Sequence, residues 1–141
     1  MHLEVRIYSL NELSIYDFVV IFARFGGKWV LCRHRERDTY EIPGGRIEQS
    51  EPPMEAAKRE LYEETGAESF TLRAMFDYSV TRDGCTTNGQ VYLAEISRLG
   101  MLPQSEIAEA ILMNAMPPPE KMTYPAIQPL LYIKINEMGW I

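Results

Sequence analysis

The chain predicts an α+β fold, a mixed β-sheet with helices packed on it. Three observations carry that prediction. β-rich runs lie on both sides of one strong helical pattern, "PPMEAAKRELYEETG". A second helical pattern closes the chain. The length, 141 residues with 46% hydrophobic and 24% charged, suits one core-forming domain over residues 1–141.

Taken in order, "LEVRIY" alternates Leu3, Val5 and Ile7 with polar residues and predicts a half-buried strand. "YDFVVIFAR" (Tyr16–Arg24) is continuously apolar and predicts a buried one. Gly26-Gly27 separate it from "KWVLCR" (Lys28–Arg33), and two β-rich runs about a Gly-Gly pair predict a hairpin. "HRERDT" is a charged loop, and "YEIPGG" a short strand ending at Pro43. In the helix that follows, prolines suit the first turn and Gly66 falls where a left-handed cap is wanted. "FTLRAMFDYSV" (Phe70–Val80) and "GQVYLAEI" (Gly89–Ile96) predict strands flanking "TRDGCTTN". "QSEIAEA" reads as a loop or short helix. The Pro-rich "MPPPEKMTYP" precedes a final helix over Ala126–Met138, with Ile127, Leu130, Leu131 and Ile135 as its core stripe and Gly139 as its stop.

Charge and cysteine usage exclude several function classes. A net charge of −6 argues against non-specific nucleic-acid binding, which depends on many Lys and Arg contacts to phosphate. Cys32 and Cys85 lack zinc-site spacing and predict two buried free thiols in a reducing compartment. The opening "MHLEVRIYSL" has no signal-peptide pattern, and no apolar run approaches the roughly 20 residues that span a bilayer. The expected address is the cytoplasm, with no membrane or nucleic-acid polymer as partner, in a monomer or homodimer.

The informative segment is the acidic helix. With Glu60 at zero and about 100° per residue, Glu64 lies near 40° and Glu63 near 300°, so the three share a face. Met54, Ala57 and Leu61 occupy the neighbouring arc and anchor the helix to the core. Two carboxylates about 5 Å apart repel by roughly 3 kcal/mol at an effective dielectric of about 20, so such a face wants a cation. All-oxygen ligands favour Mg2+, Mn2+ or Ca2+, and Mg2+ typically binds through one or two carboxylates plus substrate phosphate. The bland alternative is a solvated acidic face neutralised by Lys58 and Arg59. Against it stand the Gly44-Gly45 turn, which brings backbone close to whatever the carboxylates hold, and the full spacing.

From Gly45, five residues lead to Glu51 and seven more to Arg59-Glu60-Leu61; Tyr62, Glu63-Glu64, Thr65, Gly66 and Ala67 follow. This pattern resembles the Nudix box at every fixed position, and "YEIPGG" resembles the usual lead-in. The resemblance implies the Nudix fold, a mixed sheet sandwiched between helices, and hydrolysis of a nucleoside diphosphate linked to a group X. It implies Glu60, Glu63 and Glu64 as metal ligands, with the Gly45 carbonyl completing the shell. The metal would be Mg2+, with Mn2+ as the alternative. Arg59 would orient the glutamates, as a planar guanidinium can. Glu51 would partner Arg59 or the outer metal shell, and Arg46 would face substrate phosphate.

The implied chemistry is attack of water on a phosphorus whose charge divalent ions neutralise, with a general base in reach. Relatives often take that base from outside the box. Glu106 and Glu109 are the candidates here, Glu106 preferred, and surface charge is the other reading of both.

Substrate is less legible. No proline follows the box closely, as an ADP-ribose type would have, and Tyr78 and Tyr92 suit the diadenosine polyphosphate type poorly. The lead-in and the closing "EMGWI" resemble MutT-type nucleoside triphosphate pyrophosphatases, including those that clean oxidised guanine nucleotides. The base-pocket asparagine of that type is replaced in "PAIQP" by Ile127, leaving Asn114 or Gln128 as substitutes. Phe76 and Tyr78 are placed to stack on a base or to be plain core. The leading expectation is a nucleoside triphosphate pyrophosphohydrolase releasing monophosphate and pyrophosphate. The alternatives are a nucleotide-sugar or dinucleotide pyrophosphatase, or a non-catalytic nucleotide-binding module.

Overall fold

The structure, a computed structural model, describes residues 2–139. Its strands are β1 (Leu3–Tyr8), β2 (Phe18–Phe25), β3 (Lys28–His34), β4 (Gly44–Arg46), β5 (Ala67–Arg82), β6 (Cys85–Leu99) and β7 (Ile107–Met113). Two α-helices, α1 (Pro53–Thr65) and α2 (Gln128–Met138), and a short 3-10 turn (Pro119–Lys121) complete the described residues. The seven strands form one sheet in the order β1-β5-β6-β2-β3-β7, with β4 pairing β2 off this path. β2 and β6 run parallel and the other pairs antiparallel, so the sheet is mixed as expected.

The apolar run in β2 explains the layering, because alternate side chains of a strand point to opposite faces. Val19, Ile21 and Ala23 join Ala56, Ala57 and Leu61 of α1 on one face. Val20 and Phe22 join Leu131 and Ile135 of α2 on the other. The sheet is therefore sandwiched between helices. α1 starts behind Pro52 and stops at Gly66, whose φ of 79° is the left-handed cap that the sequence predicts.

Five local expectations need correction. Gly44-Gly45 is not a turn: both residues lie in β4, paired with Val20 and Val19, and neither has positive φ. Tyr40 and Glu41 form only isolated bridges, to Met122 and Cys32. "SEIAEA" is neither loop nor short helix beyond its first residues, because Ile107–Met113 pairs with β3 as an edge strand. Cys85 is exposed, although Cys32 is buried. In α2, Leu131 and Ile135 are fully buried but Leu130 is 44% exposed. The "WI" of the closing motif lies outside the described residues.

Candidate active site

β2 holds β6 along one edge, while its other edge is shared. β3 pairs with Ala23–Phe25 and β4 with Phe18–Val20. α1 crosses above this split. Its face therefore meets β4, and the two glycines there permit contact that no side chain would. A Cβ on Gly45 would lie 2.5 Å from the Glu60 carboxyl carbon, and one on Gly44 would strike the Val19 carbonyl. Glycine is required here for close approach rather than for dihedral freedom.

The three glutamates differ in environment. Glu60 is buried, and burial pushes its carboxyl above the ordinary range against the pull of Arg59. Glu64 accepts a 2.9 Å hydrogen bond from the Gly44 N–H and lies 3.8 Å from Cys32 Sγ. Burial pushes it up to about 8, opposed by the Gly44 bond and reinforced by the charges of Glu60 and Glu41. Glu63 is half-exposed, with Oε2 3.5 Å from Arg59 Nη1. Burial also raises the Cys32 thiol well above its usual value, with Glu64 beside it adding to the effect.

Arg59 ties the cluster together. Nε and Nη2 donate to the two oxygens of Glu51 at 2.8 and 2.9 Å. Nη1 donates to Glu60 Oε1 at 2.7 Å, and Nη2 to the Arg46 carbonyl at 3.0 Å. The fork holds the Glu51 carboxyl down at about 2. Arg59 thus positions Glu60 and the β4 backbone together, and Glu51 is its partner.

As the side chains stand, no three acidic, histidine or cysteine side chains among the described residues converge closely enough to hold a metal ion. Arg59 occupies one oxygen of Glu60, and Gly44 holds one of Glu64. The donor chemistry nevertheless fits a hard cation. Three carboxylates line one helix face, and burial holds two of them, Glu60 and Glu64, above the ordinary carboxylate range. Rotation of the half-exposed Glu63 would bring the third into play.

A cavity of about 470 Å3 opens beside this cluster, lined in part by Gly44, Gly45, Glu41, Tyr78, Tyr124 and Gln128. That volume lies within the range of small-molecule pockets, roughly 300–1,000 Å3. Tyr78 forms a buried wall, its ring packed against Gly89. Phe76 is buried in the core. Gln128 lines the cavity with its Oε1 accepting from the Ile42 N–H at 2.9 Å. Asn114 is exposed and does not line it. Arg46 is exposed, its guanidinium 4.8 Å above the Phe18 ring.

Glu106 and Glu109 engage other groups. Glu106 is largely exposed and lies 3.1 Å from His34 Nε2. Glu109 accepts from Arg33 Nε at 2.9 Å. Neither bonds to the α1 glutamates.

Two residues at the site went unread in the sequence. Glu41 is buried, lines the cavity and pairs with Arg37 Nη1 at 3.2 Å. Its place just before "IPGG" was the available signal. Tyr124 lies beneath the Arg37 guanidinium at 5.9 Å and lines the same cavity. Nothing local in the Pro-rich segment marks it.

Comparison with known proteins agrees with this geometry. The NUDIX domain family model matches residues 15–124. The chain is 34% identical over 131 residues to YtkD of Bacillus subtilis (strain 168), which carries an 8-oxo-dGTP diphosphatase assignment. The match covers 87% of this chain and 82% of that protein. An RNA pyrophosphohydrolase of Bartonella quintana (strain Toulouse) is 36% identical over 94 residues, 57% of this chain and 54% of that one. The crystal structure of the Bacillus subtilis pyrophosphohydrolase BsRppH (E68A mutant) superposes with a TM-score of 0.82 at 30% identity. It covers 97% of this chain and 92% of that one. With the intact motif on α1 and the model spanning most of its length, the chain belongs to the Nudix family of pyrophosphohydrolases, acting on a nucleotide-like substrate.

Proposed function

We propose that the chain hydrolyses a nucleoside triphosphate to a monophosphate and pyrophosphate, with Mg2+ as the cofactor. One observation carries the reading: the Glu60–Glu63–Glu64 face adjoins a nucleoside-sized cavity across the side-chain-free edge of Gly44 and Gly45. The base and sugar enter the cavity, and the phosphates lie along β4 toward the glutamates.

Glu60, Glu63, Glu64 and the Gly45 carbonyl would hold the metal, which supplies charge neutralisation at phosphate and a lowered pKa for bound water. Arg59 holds Glu60 in place, and Arg46 offers a cation to the phosphate chain. Water adds to phosphorus, the phosphoanhydride P–O bond breaks, and pyrophosphate leaves. The proton of the water passes to a carboxylate. Glu106 is the proposed base, because its carboxylate is largely exposed and contacts only the His34 ring among the described residues, whereas Glu109 is paired with the Arg33 guanidinium. Tyr78 and Gln128 bound the base, and the Ile42 N–H fixes the Gln128 amide by occupying its oxygen.

A second reading keeps the reaction and places the triphosphate at the 5′ end of an RNA. The names of the Bartonella relatives favour it, against the net charge that spoke for a free nucleotide. The chain spans about half the length of the Bartonella quintana relative. A panel of canonical and 8-oxo nucleoside triphosphates, nucleotide sugars, dinucleotides and 5′-triphosphorylated oligoribonucleotides, assayed with Mg2+ and with Mn2+, distinguishes the two. Turnover confined to nucleotide sugars or dinucleotides overturns both.

A further inference from the structure

The strand β1 is an open edge whose residues complement themselves. It pairs with β5 on one side in an unbroken register, Leu3↔Arg82 to Tyr8↔Asp77, and it ends the strand order. Just before it, the Asp83 N–H donates to the His2 carbonyl at 3.2 Å. Successive residues of an antiparallel strand turn their backbone groups to opposite sides. Glu4, Arg6 and Tyr8 therefore continue toward β5, and Leu3, Val5 and Ile7 turn their N–H and C=O groups to the open edge.

Protected edge strands carry a proline, a bulge or an excess of one charge. β1 has none of these: its only charged residues are Glu4 and Arg6, one of each sign. In an antiparallel pairing of two copies about a two-fold axis through Val5, Leu3 stands opposite Ile7 of the other copy. Glu4 stands opposite Arg6, twice by symmetry. Those charged positions are the non-hydrogen-bonded pairs, where cross-strand side chains approach most closely. Displacing the centre by one residue puts Glu4 opposite Glu4 or Arg6 opposite Arg6.

The flank of the strand continues the match. A groove between β1 and α2 is lined by Val5, Ile7, Leu130, Ile133, Lys134 and Glu137. Ile7, Leu130 and Ile133 are 39%, 44% and 54% exposed, and this is the misread outer face of α2. Lys134 and Glu137 add a second balanced pair, 4.0 Å apart. The other sheet edge, "IAEAILM" in β7, has an acid and no base and cannot pair with itself in this way.

We propose that this face binds a second copy of the chain, joining two sheets through β1 into one continuous sheet centred on Val5. Sedimentation equilibrium of the full chain tests it, with Glu4→Arg, Arg6→Glu and the double exchange as variants. Both side chains are well exposed, at 47% and 65%, so the variants keep the fold. The wild type is expected to dimerise. Each single reversal is expected to raise the dimer dissociation constant about tenfold or more, and the double exchange to restore it. Backbone amide exchange at Val5 and Ile7 is expected to slow as protein concentration rises. A wild type that stays monomeric at several hundred micromolar overturns the proposal. So does a dimer indifferent to both reversals, or one that the double exchange fails to restore.

Discussion

Arg59 donates four hydrogen bonds to three partners, Glu51, Glu60 and the Arg46 carbonyl, so its place in the cluster depends on planar geometry rather than charge alone. A lysine there can neutralise one carboxylate but cannot span Glu51, Glu60 and the Arg46 carbonyl together. Arg59→Lys is expected to lower kcat by roughly 10- to 100-fold, as loss of an orienting partner typically does, with folding retained by circular dichroism. Wild-type kinetics in that variant would make Arg59 a surface neutraliser. For the general base, Glu106→Gln is expected to cost roughly 10²-fold in single-turnover rate and Glu109→Gln much less. Equal rates in both variants and the wild type would return the base to α1. Individual residues were legible where a spacing named them, as with Glu51, Arg59 and the three glutamates. Glu41 and Tyr124 were not, because they meet at the cavity only after β3, the 3-10 turn near Pro119 and α2 are assembled.

At the scale of elements, α1 was legible because its own residues write both ends, Pro52 and Gly66, and its buried side, Ala57 and Leu61. β4 was misread because Gly-Gly signals a turn when seen alone. The physical demand was instead for a strand without side chains beneath Glu60. Gly45→Ala tests this. Its methyl would sit 2.5 Å from the Glu60 carboxyl carbon, the end of a side chain that can turn aside, so the variant is expected to fold and to lower turnover by displacing Glu60 from Arg59. An unchanged kcat in a folded Gly45→Ala variant would contradict the close approach of β4 to Glu60. β7 was misread because Ala and Glu favour helices, while the open edge of β3 decides in favour of a strand. The β5 and β6 strands run well beyond their apolar centres, because each supplies the other's hydrogen-bond ladder as far as the Asp83-Gly84 turn.

Across the whole molecule, the sheet order brings the lead-in, the acidic helix and the start of α2 to one rim. The layered fold was readable from patterning. The cavity beside the acidic helix was not, since it draws on residues from Phe18 to Gln128. The buried acidic rim also couples folding to pH. Glu64 has a folded-state pKa of about 8 against an ordinary 4.5, so the folded chain binds more protons at this site than the unfolded chain. Its stabilisation is complete below about 4.5 and is lost as pH rises through 8. In chelator, the melting temperature is expected to fall between pH 5 and pH 9, and Glu64→Gln to flatten that fall. A wild-type slope identical to that of the variant would remove Glu64 as the cause.

The central claim is that the α1 glutamates work as one metal-dependent centre for phosphoanhydride cleavage. The most direct test is single-turnover cleavage of a nucleoside triphosphate by wild type and Glu64→Gln, each stripped of metal and then titrated with Mg2+, with products resolved by phosphorus NMR. The account predicts monophosphate and pyrophosphate from the wild type only when Mg2+ is added. It predicts a loss of about 10²-fold or more in Glu64→Gln at saturating Mg2+, with the variant still folded. Undiminished cleavage by Glu64→Gln, or equal rates with and without the metal, would contradict it.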